Sequence, residues 1–152
     1  MTLPRLVPLC HIDAELGKPI EMGTTSSGVF RIIPIIGGIV TGERLSGRVG
    51  NLGADWQTVH GDGYAELDTR YMIETHDGAT IDVRNFGYRH GPAEVLARLA
   101  AGEDVDPGEY YMRTQPRFHT GDARYAWLNR TVFLGTGERR FGAVRIRVFE
   151  VL

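Results

Sequence analysis

The chain has 152 residues, enough for one domain with its own hydrophobic core. Apolar residues supply 42% and charged residues 24%, which excludes an intrinsically disordered chain, and a formal net charge of -2 excludes bulk attraction to nucleic acid or anionic lipid. A single cysteine, Cys10, rules out an internal disulfide or a multi-thiolate metal site, and a single lysine, Lys18, in a Gly-Lys-Pro turn argues against Schiff-base chemistry.

The first sixteen residues lack the basic start and apolar run of a signal peptide. No apolar run reaches the length of about 18 that a membrane helix needs. A cytoplasmic protein is therefore expected. Twenty glycines and seven prolines are spread along the chain, so short strands between frequent turns are expected. They run over Leu6–Leu16, Val29–Ile36, Gly38–Val49 and Asp55–His60. Tyr64–Thr75 has the clearest alternation, with Leu67, Thr69, Tyr71 and Ile73 on one face and Glu66, Asp68 and Arg70 on the other. Asp77-Gly78 supplies the turn into Thr80–Gly87, where Ile81, Val83 and Asn85 share a face. Pro92 opens a short helix that Gly102 stops. Strand patterns resume at Tyr110–Thr114, Tyr125–Thr136 and Phe141–Val151, the last two joined by Gly135-Thr136-Gly137. The last two strands are apolar on both faces, as expected where one face meets a partner subunit.

This pattern predicts one all-β domain over residues 1–152. Its architecture is a closed antiparallel barrel of about 8–9 strands with one short helix.

Familiar chemical motifs are absent. The glycine runs Gly47–Gly53 and Gly135–Gly137 lack dinucleotide or phosphate-loop spacing, and no Gly-x-Ser-x-Gly nucleophile elbow occurs. The five histidines carry no metal-binding spacing, so neither cofactor nor metal is expected. His11 and His119 are the histidines best placed for a cavity, because each interrupts a strand-like pattern. The informative residues are polar ones at inward-reading positions. Asn85 and Asn129 either fasten strand ends or contact a ligand, since a buried amide without a partner costs about 1–3 kcal/mol. Tyr71 and Trp127 read as core aromatics or cavity walls. Arg31, Arg84 and Arg113 lie in or beside strand cores, and any that points inward must meet a carboxylate, the protein's own or a ligand's. Asp55, Asp68 and Glu109 are the internal candidates.

The segments Gly53-Ala-Asp55-Trp56-Gln57, Asp68-Thr-Arg70-Tyr71, Asp77-Gly78-Ala-Thr-Ile81, Asn85-Phe-Gly87, Tyr111-Met-Arg113-Thr-Gln-Pro116-Arg-Phe118 and Trp127-Leu128-Asn129 together resemble the UPF0311 family, also called the DUF3237 domain. The resemblance covers nearly the whole chain and implies a barrel similar to allene oxide cyclase and dirigent proteins. It marks Asp55, Trp56, Asp68, Tyr71, Asn85, Arg113, Trp127 and Asn129, and it departs at His119, where an acidic residue is expected.

The expectation is a small-molecule-binding barrel and a cofactor-independent acid–base enzyme of isomerase, cyclase or lyase/hydrolase type, acting on a small carbonyl or enol compound. Asp55 or Asp68 would be the base, Tyr71 a hydrogen-bonding acid, and Arg113 with Asn129 an oxyanion clamp. Trp56 and Trp127 would be apolar walls, with Asn85, His119 and Arg31 further ligand contacts. The alternative is a non-catalytic binding or structural barrel. A homo-oligomer, with a dimer foremost, is expected, without nucleic-acid or membrane partners.

Overall fold

The computed structural model describes residues 2–152. Ten strands form one antiparallel sheet: β1 (Leu6–Leu16), β2 (Ile20–Thr25), β3 (Gly28–Thr41), β4 (Gly47–Val49), β5 (Ala54–Val59), β6 (Ala65–Thr75), β7 (Thr80–His90), β8 (Tyr111–His119), β9 (Phe133–Arg140) and β10 (Ala143–Val151). The sheet closes because β1 pairs with β10 along one edge and with β3 along the other. The result is a closed 8-strand antiparallel barrel with two additional strands. Strands β4 and β5 together fill the gap between β3 and β6, and β2 extends β3 as an exposed hairpin. One α-helix, α1 (Ala93–Ala100), follows β7 and buries only Val95. No helix among the described residues is long and apolar enough to cross a membrane.

Alternation decides what is inside. In β6 and β7 the buried set is Ala65, Leu67, Tyr71, Ile73 and Thr75 with Ile81, Val83, Asn85, Gly87 and Arg89, as a half-buried strand requires. In β8 the inward residues are Met112, Thr114, Pro116 and Phe118. Ile12, Val40, Ile146 and Val148 complete the core from the closing strands.

Three local expectations are corrected. Residues 29–49 were expected as two strands divided at Gly37-Gly38, but β3 runs unbroken through both glycines. Gly38 has φ +138, and a Cβ there would lie 2.1 Å from the Asp13 carbonyl oxygen. The pair thus bends one strand from β5 toward β1 instead of turning the chain back. Gly135-Thr136-Gly137 likewise lies inside β9, where a Cβ on either glycine would strike Thr114 or Met112. The actual turn is Phe141-Gly142, with Gly142 at φ +65.

The largest correction falls on Tyr125–Thr136. Ala123–Arg130 is a 3₁₀ segment, and the strand starts only at Phe133. Asp122 starts the segment by accepting from the Arg124 N–H at 2.9 Å, and the Tyr125 hydroxyl donates to Asp77 Oδ1 at 2.8 Å. Asn129 is exposed and locks the far end, accepting from Thr120 N–H at 2.9 Å and donating to Thr120 O at 2.8 Å. Leu128 and Tyr125 are buried, so the segment plugs one end of the barrel.

Replacing Asn129 by alanine removes both Thr120 contacts and is expected to lower stability by about 1–2 kcal/mol. Equilibrium urea unfolding checks this, and an unchanged midpoint would show that the clamp carries no stability.

Candidate functional site

The strand registers stack the inward polar side chains in layers. Thr69 pairs with Asp55 on one side and Asn85 on the other, which puts the three in one layer. One step toward the plugged end, Tyr71 pairs with Val83. One step the other way, Arg31 of β3 pairs with Gln57 of β5. Beyond that, Arg89 of β7 pairs with Ala65 and Met112, and Arg139 of β9 pairs with Val144. A cavity runs between these layers along apolar walls that include Ile33, Ile35, Leu67 and Ile146. It continues into a wider chamber roofed by Leu96 and Leu99 of α1, with Arg31, Arg89 and Arg139 on its walls.

Among the described residues Asp55 is the single carboxylate lining this cavity, and it is only 8% exposed. Burial raises its carboxyl pKa above the ordinary carboxylate value, while hydrogen bonds from Gln57, Thr69 and the Asp68 N–H, and the charge of Arg89, pull it back down. Two of those contacts fix its orientation: Gln57 Nε2 donates to Oδ2 at 2.7 Å and Asp68 N–H to Oδ1 at 2.9 Å. Arg31 Nε in turn donates to Gln57 Oε1 at 2.9 Å. Gln57 therefore relays the Arg31 guanidinium to Asp55 without a direct ion pair. Tyr71 is buried, and burial raises its phenol pKa, so the hydroxyl stays a proton donor at any ordinary pH.

Other polar atoms here lack protein partners. Asn85 Oδ1, Thr114 Oγ1 and Arg89 Nε are buried without a hydrogen bond among the described residues. Arg89 is 8% exposed, and burial, then the neighbouring Arg139 and Arg31, lower its pKa to about 10. Arg139 is lowered for the same leading reason. Cys10 is buried outside this cavity, and burial pushes its thiol up to about 12, which leaves it inert as a nucleophile. Among the described residues no three His, Cys, Asp or Glu side chains are grouped as a metal ion would need.

Of the residues singled out in the sequence, Asp55, Tyr71, Asn85 and Arg31 meet at this cavity and its chamber. The others do not. Asp68 faces outward on β6 and reaches the site only through its backbone N–H. Trp56 is 53% exposed on the outer face of β5. Arg113 and His119 hold outward positions on β8, with the Arg113 guanidinium 5.2 Å from the Tyr111 ring. Asn129 belongs to the plug, and Trp127 packs near Phe133 with the Arg44 guanidinium 4.6 Å above its ring. The expectation of an inward Arg113–Asn129 clamp is thus corrected by β8 parity and by the 3₁₀ segment.

Sequence reasoning missed Gln57, Thr114, Arg89 and Arg139. Arg89 continues the parity of Ile81, Val83, Asn85 and Gly87, and Arg139 continues that of Phe133, Gly135 and Gly137. The signal is present, but the strand expected over Thr80–Gly87 stops short of Arg89, and Arg139 falls between the strands expected over Tyr125–Thr136 and Phe141–Val151.

An unpaired guanidinium this deeply buried opposes folding. Arg89→Met keeps the apolar stem and removes the charge, and is expected to stabilise the ligand-free protein by about 1–2 kcal/mol. Urea unfolding at neutral pH reads this, and a lower midpoint would mean that Arg89 has a structural partner.

Comparison with known proteins places the chain among relatives of the same length and shape. A UPF0311 protein of Rhodopseudomonas palustris, RPA1785, is 45% identical over 93% of this chain and 92% of its own. The crystal structure of that protein superposes with TM-score 0.97, covering 100% of both chains. A protein from Acinetobacter baumannii described as β-barrel-like is 45% identical, with TM-score 0.89 over 100% of this chain and 98% of its own. A structure described as an enzyme from Penicillium herquei shares 21% identity and TM-score 0.75, over 100% of this chain and 97% of its own, and is a likeness of fold alone. The family model described as a protein of unknown function, DUF3237, matches residues 4–151, and with these relatives it establishes that the chain belongs to the DUF3237, or UPF0311, family of β-barrel proteins.

Proposed function

We propose that the barrel binds a small carbonyl or enol compound and catalyses proton transfer on it without a cofactor, as in an isomerisation or cyclisation. The observation that carries this reading is the buried Asp55 carboxylate beside polar atoms with no protein partner, Asn85 Oδ1 and Thr114 Oγ1, in an apolar cavity. Asp55 is the base. Burial brings its pKa closer to that of the carbon acid, and Gln57 with the Asp68 N–H holds both oxygens in place. Tyr71 is the hydrogen-bond donor to the oxygen that becomes an enolate, and Asn85 Oδ1, an acceptor, takes a hydrogen bond from an O–H of the ligand. Tyr71 suits this role because burial keeps its hydroxyl protonated. Asp68, Arg113 and Asn129 have no place in this mechanism. The exposed aromatic side chains Trp56, Phe86 and Tyr88 on the outer wall support the further reading that copies associate.

Proton transfer is tested by following deuterium exchange at carbon by NMR in heavy water, with a panel of ketones, enones and keto acids. The wild type is expected to exchange at least one panel member. Asp55→Asn should lower that rate by about 10²-fold or more, and Tyr71→Phe by a smaller factor. Because the base works only when ionised, the rate should rise with pH and level off above the ordinary carboxylate range. Binding of panel members without exchange by the wild type overturns catalysis in favour of a binding barrel.

A further inference from the structure

Most exterior arginines pair with a carboxylate, and those that do not, Arg5, Arg113, Arg117 and Arg130, are exposed to water. On the exterior, Arg70 reaches Asp82 at 3.1 Å, Arg98 reaches Glu103 and Glu109 at 3.2 and 3.1 Å, and Arg145 reaches Asp13. At the chamber, Arg31, Arg89 and Arg139 have no carboxylate within 4.0 Å among the described residues. Arg89 is buried and Arg31 and Arg139 are half-buried, which runs opposite to electrostatic need, since an unpaired cation is tolerated in water and penalised in a low-dielectric interior. Three strands, β3, β7 and β9, each contribute one of these guanidiniums. The one carboxylate of the cavity, Asp55, is already held by Gln57 and a backbone N–H. Even with Asp55 ionised, positive charge remains in excess in this space.

The surroundings define what would balance it. Arg31, Arg89 and Arg139 share the chamber with Ile33, Leu96 and Leu99, and Arg89 and Arg139 also line the apolar cavity that leads to Asp55. A guanidinium presents a planar fork of donors that matches a carboxylate. Arg89 Nε, buried and without a hydrogen bond, is one such donor left open. We propose that these three arginines bind the carboxylate of an organic acid whose apolar body extends down the barrel, so that the substrate class of the site is a small carboxylate-bearing carbonyl or enol compound.

This assignment rests on the acid–base reading for the word substrate, while carboxylate recognition stands on its own geometry. In proton transfer the C–H bond of the acid breaks, its electron pair forms the new C=C bond, the C=O π pair moves onto the carbonyl oxygen, and the proton goes to Asp55. The negative charge leaves Asp55 as it appears on the enolate oxygen. Total charge in the cavity is conserved, and the carboxylate stays seated on the arginines throughout.

Calorimetric titration tests the proposal with benzoate, phenylpyruvate and 4-phenylbutanoate, the primary amide of each, and phenyl phosphate. At least one acid is expected to bind the wild type tenfold or more tighter than its amide, and to weaken as salt rises through the range that screens charges. Arg89→Met and Arg139→Met should each remove most of that preference while leaving amide binding unchanged, and Arg84→Met on the outer wall should change neither. Asp55→Asn separates the two readings: it should abolish exchange yet retain the preference for the acid. Equal affinity for acids and amides, salt-independent binding, or failure of every acid to bind at millimolar concentration overturns the proposal. Tighter binding of phenyl phosphate than of any acid overturns the carboxylate assignment in favour of a phosphate. Should both methionine variants fail to fold, the acid–amide comparison and the salt response of the wild type decide the matter alone.

Discussion

Closure of the sheet is the constraint on which everything else depends. Because β1 hydrogen-bonds to β10 and to β3, every strand of the barrel wall has neighbours on both sides, with β2 alone outside it, and each wall side chain is assigned to an inner or an outer face. On an open sheet an Asp55 or an Arg89 would turn toward water. Inside a closed ring they cannot, and their energetics then follow from burial and from one another. The two ends differ as well. Ala123–Arg130 plugs one with Leu128 and Tyr125, whereas α1 roofs the other with a single buried residue, Val95. A ligand therefore has its path at the α1 end, where the wider chamber and the arginines are found.

Where alternation was long and uninterrupted, the sequence was a faithful guide. Strand β6 and the first half of β7 placed Leu67, Tyr71, Val83 and Asn85 on the inner face, and the closed all-β architecture followed from the number of such segments. It failed where apolar residues imitate alternation for another reason. Tyr125, Trp127 and Asn129 are spaced as on a strand but belong to a 3₁₀ segment, whose three-residue turn sends them in different directions. It also failed at strand ends. Stopping β7 at Gly87 discards Arg89, although the strand runs on to His90 and the inward parity continues to Arg89. A glycine on the inner face, as at Gly87 and Gly135, reads as a break when it is room made for Thr114.

The residues that carry the family resemblance and those that line the cavity overlap only in part, and the reason is physical. Trp56, Asp68, Arg113 and Asn129 are identifiable because they are large or polar at fixed offsets, yet each acts on the frame: an outer wall, a backbone N–H beside Asp55, a contact over Tyr111, a clamp on Thr120. Cavity residues such as Gln57 and Thr114 lie within the quoted segments without standing out in them, and Arg139 lies outside them altogether. What brings them together is register across four or five strands, which pairs residues dozens of positions apart and leaves little trace in any short motif.

The same enclosure couples the charges of the site. Burial raises the Asp55 pKa and the Arg89 guanidinium lowers it, while Arg89 is itself lowered by burial and by its two arginine neighbours. The charge of Arg89 thus pulls toward ionised Asp55, against the larger effect of burial. An anion seated between Arg89 and Arg139 would offset that field in two ways. It relieves the repulsion among the guanidiniums, and it raises the Asp55 pKa further, making the carboxylate a stronger base once the ligand is in place. A neutral ligand entering the same cavity would displace solvent and raise the Asp55 pKa through desolvation alone, leaving the arginines unrelieved. On the proposed reading, the arginine layer would link recognition of one end of a molecule to reactivity at the other, through the field between Arg89 and Asp55 and the Arg31–Gln57–Asp55 hydrogen bonds.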